Sequence, residues 1–161
     1  MINQFIDKTM VNKGGDPRLR SQLVNQSIIP TTKTEIGIYT EDHRTKSGKL
    51  QDDRLPVLRN WLIEPLKHSE RYDKKMMQSL IHAASHFFVS KEGNLYKRGL
   101  DSVHKLVVEK GDQMRMLASA HNSLGHRGAY ATKMLIAKCF WWLEYERDVH
   151  WYCKTCQLCQ E

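Results

Sequence analysis

Two short stretches decide how this chain folds: HNSLGHRG at residues 121–128 and CKTCQLC at residues 153–159. The first carries His121 and His126, and the second ends in the pair Cys156 and Cys159. Two imidazoles and two thiolates fill the tetrahedral shell of a structural zinc. Both thiolates must reach one ion, with Zn–S near ~2.3 Å, and residues three apart on a helix lie on nearly the same face. One helical turn can therefore present Cys156 and Cys159 together. His121 and His126 cannot share a straight helix, because five steps of roughly 100° leave their side chains about 140° apart. The helix must stop between them, and Gly125 is a natural left-handed stop. Cys153 and Cys156 also read Cys-x-x-Cys, so spacing alone does not choose between the two cysteine pairs. Cys139 has no partner at ligand spacing and reads as core.

Working outward, Met114, Leu117, Ala118, His121 and Leu124 recur at helical spacing, with Asp112 placed to cap their helix. His121 thus projects from the buried side. Gly128 and Ala129 lead into a second apolar helix over 130–139. Phe140-Trp141-Trp142 follow, a large aromatic load whose members cannot all face one way. Some are expected to pack beneath the metal site and one to be exposed for a partner. A last helix from Glu144 to about Cys156 aligns Tyr145, Val149, Tyr152 and Cys156.

Upstream, Leu55, Leu58, Leu62 and Leu66 approximate a helical stripe that ends near Pro65. Asp73 reads as the N-cap of a second helix with Met76, Met77, Leu80, Ile81 and Ala84 on its buried side. His82 and His86 on that helix are four apart, but no third ligand accompanies them, so they read as polar or capping residues. Residues 87–89, a turn at 91–94, and residues 95–98 form a hairpin, with a third strand at 106–108. Strands this short must lean on the preceding helices. Residues 1–50 lack a sustained apolar period and are broken by Gly14-Gly15, Asp16-Pro17 and Pro30. They read as a flexible linker or tail, with one short strand possible at 34–40.

The balance is basic, with a net charge of +7 and a pI near 9.3, which favours an anionic partner and nucleic acid first. No run of 18 apolar residues exists to cross a membrane, and the N-terminus lacks a secretory signal. Three of the four cysteines fall within seven residues, which suits a metal in a reducing compartment better than a disulfide framework. No nucleophile–base pair and no phosphate-binding glycine loop is visible, so no small-molecule substrate is expected.

At this point the landmarks match something specific. The run H-x4-H-x-G-x3-T, F-W-W and D-V-x2-Y-x3-C-x2-C-Q resembles the zinc-binding domain of integrases from gypsy-type LTR retrotransposons. Here it reads His121, His126, Gly128, Thr132, Phe140-Trp141-Trp142, Asp148-Val149, Tyr152, Cys156, Cys159 and Gln160. The segment FFVSKEGNLYKR at 87–98 looks like the small extension that precedes this domain in the same proteins. The resemblance covers roughly 55–161. It implies that Cys156 and Cys159 are the ligands and that Cys153 occupies a usual valine position, while Leu143 replaces a common proline.

The expected architecture is mainly α: a three-helix, zinc-stabilised, helix-turn-helix-like domain over 111–161, a small α+β extension with a short hairpin over 51–110, and a tail over 1–50. The resemblance implies one structural zinc on His121, His126, Cys156 and Cys159. It also implies a role in DNA integration, as part of a Pol polyprotein, through integrase multimer assembly and weak, salt-dependent binding of element DNA ends, and so a place in the nucleus. The candidate phosphate contacts are Arg115, Arg127, Lys133 and Lys138. The family's Asp-Asp-Glu core would follow this domain, so no catalytic residue is assigned and the chain is expected not to act as an enzyme. The rival reading is a stand-alone, co-opted zinc module acting as a nucleic-acid or protein adaptor.

Overall fold

The computed structural model describes residues 43–159, apart from 69–70, 101–102 and 124. The possible strand at 34–40 lies outside the described residues. Helix α1 spans Lys46–Ile63. The Thr45 hydroxyl caps it, accepting the Gly48 N–H at 3.0 Å, so the helix begins inside the stretch read as tail. It stops at Ile63 because Glu64 precedes Pro65 and is pushed out of the helical region, to φ −133° and ψ 73°. Pro65 then opens a short helix α2, Pro65–His68. Leu55 and Leu58 are buried, but Leu66 is 89% exposed, so the leucine stripe ends with α1.

Helix α3, Lys74–Ala84, is capped as expected: Asp73 Oδ1 accepts the Met76 N–H at 2.7 Å. Met76, Leu80 and Ala83 form the buried stripe. Ile81, one helical step from Leu80, is 57% exposed and does not belong to it. Strands β1 (Phe87–Val89) and β2 (Leu95–Lys97) pair antiparallel through a turn in which Gly93 takes φ +79°. Strand β3, Lys105–Val107, continues the sheet antiparallel to β2.

Three helices then follow: α4, Lys110–Ser123; α5, Ala129–Cys139; and α6, Tyr145–Thr155. Helix α4 starts two residues before Asp112, which lies in its first turn and pairs with Arg115 at 2.6 Å instead of capping. Between α5 and α6, Phe140–Trp141 forms a fourth strand, β4, parallel to β3, with Leu106 opposite Phe140 and Val107 opposite Trp141. Side chains alternate across a strand, so the sheet serves two cores. Phe87, Leu95, Val107 and Trp141 face Leu55, Leu58 and Leu80. Leu106 and Phe140 face Leu117, Ala120, Ile136, Trp142 and Val149. Phe140 and Trp142 are fully buried. Trp141 is half-buried against Phe87, with Lys97 Nζ 4.1 Å above its ring, so none of the three aromatics is the exposed residue anticipated.

The fold is mainly helical with a small four-stranded sheet. The boundary read at 50 falls inside α1 and the one at 110 at the first residue of α4, and both cores meet across the sheet. A buried polar joint ties the two ends together. Arg44 reaches Asp52 at 2.6 Å and Asp148 at 2.7 Å, and donates to the Leu143 carbonyl at 2.8 Å. Asp148 also accepts the Trp142 indole N–H at 2.6 Å, and Asp52 accepts from Gln113 at 2.9 Å. His43 stacks on Trp151 with ring centroids 3.9 Å apart. No helix among the described residues is long and apolar enough to cross a membrane.

Candidate metal centre

Helix α4 ends in a Schellman motif. The Gly125 N–H donates to the Asn122 carbonyl at 2.9 Å, and the His126 N–H to the His121 carbonyl at 3.2 Å. Gly125 has φ +62°, as the stop signal required, and His126 follows at φ +59°. The two histidines are therefore the first and last residues of one six-residue hydrogen-bonded ring. That motif ordinarily brings an apolar pair together at these two positions. Here it brings two imidazoles edge to face, with centroids 5.0 Å apart. The H-x4-H spacing is the size of this ring.

The cysteines come from the other side. Helix α6 ends at Thr155 and Cys156 is already extended, at φ −72° and ψ 113°. Gln157–Cys159 then forms a 3₁₀ turn closed by Cys159 N–H to the Cys156 carbonyl at 3.1 Å. The pair thus sits on a 3₁₀ turn rather than an α-helical one, and in a 3₁₀ turn residues three apart eclipse each other.

The donor atoms of His121, His126, Cys156 and Cys159 all lie within 4.8 Å of one another. His121 Nε2 is 3.1 Å from Cys159 Sγ, and His126 Nδ1 is 3.4 Å from Cys156 Sγ. Four donors at zinc-bond lengths from one ion stand roughly 3.3–3.8 Å apart; two pairs here already stand at 3.1 and 3.4 Å, and all four converge within 4.8 Å, so the donor set fits a zinc ion. His121 is fully buried. Burial, then the neighbouring His126, push its pKa below the ordinary imidazole value, which favours the neutral ring a metal needs.

Thr132, one letter of the motif in the sequence, gains its work from its place beside the His121 ring. Thr132 Oγ1 lies 3.2 Å from His121 Nδ1 and donates to the Arg127 carbonyl at 3.3 Å or that of Gly128 at 3.4 Å. A hydroxyl that donates to a carbonyl accepts from the ring, so Nδ1 carries the hydrogen and Nε2 turns its lone pair to the cage. Cys153 stands on the other side of the same ring, its Sγ 3.6 Å from Nδ1. The cage therefore gathers Cys156 and Cys159 and leaves Cys153 beside it, with burial pushing that thiol's pKa up.

Residues 108–161 match the family described as the integrase zinc binding domain. The match covers the C-terminal third of the chain and contains all four donors. Together with the cage it supports an integrase-type zinc-binding domain over these residues, with one zinc. No curated protein and no solved structure matches significantly.

The basic candidates do not converge. Arg115 pairs with Asp112, and Lys133 with Glu146 at 3.4 Å. Arg127 is exposed two residues before α5 and Lys138 in its last turn. Between them Tyr130 and Met134 are 74% and 42% exposed on the same outward stripe. His82 near the end of α3 and His86 just beyond it meet edge to face at 5.3 Å and join no metal cluster among the described residues.

Proposed function

We propose that this chain is the non-catalytic, zinc-binding N-terminal part of a retrotransposon integrase of the gypsy type, serving DNA integration in the nucleus. The match of residues 108–161, with its four donors caged, carries this reading. Bound there, zinc supplies structure rather than reaction chemistry, because four protein donors leave no open position. The helices then act as a scaffold that assembles integrase subunits and holds element DNA ends. The outward stripe of α5 is the DNA face: Arg127 and Lys138 meet phosphates, and Tyr130 offers an aromatic plane between them. Arg115 and Lys133 join by exchanging exposed carboxylates for phosphates, since such exposed pairs contribute little.

Each phosphate neutralised adds roughly −0.9 to the slope of log affinity against log salt. Three or four contacts give a slope of about −3 to −4 on duplex DNA, with weak sequence preference. Salt titration of binding, alongside sedimentation of the free protein, tests both halves. A flat salt response would remove the DNA role. A monomer at all concentrations would remove the assembly role.

A further inference from the structure

The cage uses two thiols and the site holds three. Cys153 is half-buried in the last turn of α6, against His121 on the ring nitrogen that faces away from Cys159. Cys153 and Cys159 thus meet the imidazole at different nitrogens. Cys156 lies three residues on, where Cβ atoms on a helix are about 5–6 Å apart. A disulfide needs roughly 3.5–4.5 Å. Cys156 has already left the helix, so its backbone can close that gap of about 1–2 Å without unwinding α6.

We propose that Cys153 and Cys156 form an oxidisable pair, a modification site whose co-reactant is a hydroperoxide and whose closure empties the metal centre reversibly. The proposal rests on Cys156 and Cys159, not Cys153, being the metal donors. The Cys156 thiolate attacks a peroxide oxygen; the S–O bond forms, the O–O bond breaks, and hydroxide leaves. That hydroxide takes the Cys153 proton as water. The Cys153 thiolate then attacks the Cys156 sulfenic sulfur, forming the S–S bond and expelling a second hydroxide. The two sulfurs lose two electrons and one peroxide gains them. Cys156 is drawn out of the cage, and the remaining three donors hold a metal less well. With Cys153 at hand the sulfenic acid is captured before it reaches the irreversible sulfinic state.

The test uses the full chain loaded with zinc and treated with hydrogen peroxide. Zinc release is followed with a chromogenic chelator, and the disulfide is mapped by peptide mass spectrometry. Wild type should release zinc in step with a Cys153–Cys156 linkage and rebind it after dithiothreitol. Cys153→Val should bind one zinc before oxidation, then gain oxygen atoms on Cys156 and recover at least about tenfold less zinc after reduction. A Cys156–Cys159 linkage as the main wild-type product would overturn the proposal, as would equal recovery by Cys153→Val. Failure of unoxidised Cys153→Val to bind zinc would overturn the ligand assignment beneath it. The wild-type mapping stands whether or not the variant folds.

Discussion

Arg44→Met puts the buried joint to the sharpest trial. Arg44 is almost wholly enclosed, and its guanidinium is shared between Asp52 of α1 and Asp148 of α6, whose side chains are equally enclosed. Methionine fills much of the volume but takes the cation from between two carboxylates, leaving Asp148, among the described residues, only the His43 ring at 3.4 Å as an ion-pair partner. Removing one partner of a buried pair costs about 3–5 kcal/mol. The two remaining acceptor bonds, from Trp142 and Gln113, keep the figure inside that range. At about 2–4 °C per kcal/mol the melting temperature should fall by roughly 6–20 °C. Urea denaturation of the zinc-loaded protein, followed by tryptophan fluorescence and far-UV dichroism, reads the loss. If the damage comes from orphaned carboxylates, adding Asp52→Asn and Asp148→Asn to Arg44→Met should return more than half of it. An unchanged midpoint for Arg44→Met, or no recovery in the triple variant, would refute the reasoning.

Thr132→Val keeps the shape beside His121 but removes the oxygen that sets its tautomer, so zinc affinity should fall about 10–100-fold by competition with a chromogenic chelator. Acid should act through His121: its pKa is lowered in the folded state, chiefly by burial. The stability it contributes is therefore full above the ordinary imidazole value of ~6.5 and is lost as pH falls below it; melting curves of the metal-free protein from pH 8 to pH 5 check the sign. Chelation should remove the roughly 10–16 kcal/mol of apparent binding free energy typical of structural zinc. Because β4 carries Phe140 and Trp141 into both cores, helicity should be lost on both sides of the sheet, and a helical spectrum indifferent to chelator or to Cys159→Ala would contradict this.

Much of the C-terminal site could be read from residues alone, because its parts are local. Gly125 announces a left-handed stop, and ring size fixes where His126 must fall. The capping by Asp73 and the hairpin around Gly93 were legible for the same reason. What escaped was non-local. Arg44 sits in a polar stretch without apolar period, and nothing near it hints at a partner such as Asp148, about a hundred residues away. Strand β4 is two residues long, too short for any alternation, and its pairing with β3 depends on the packing of α5. The leucine stripe misled at Leu66 because periodicity does not register that the residue before a proline breaks the helix. Thr132 was visible as a letter in a motif, but its work appears only once the His121 ring has an orientation.

The Val108 amide donates to the carbonyl of Trp141, one residue past the β3–β4 ladder and in the stretch that leads into α4. That bond joins the linker entering the helical trio to a strand supplied from within it. Occupancy of the cage should therefore be recorded in slowed hydrogen exchange at Val108 and along β2 and β3, well away from any donor atom. A fragment cut to begin at 108 would keep every ligand and yet leave Phe140 and Trp141 with no strand beside them.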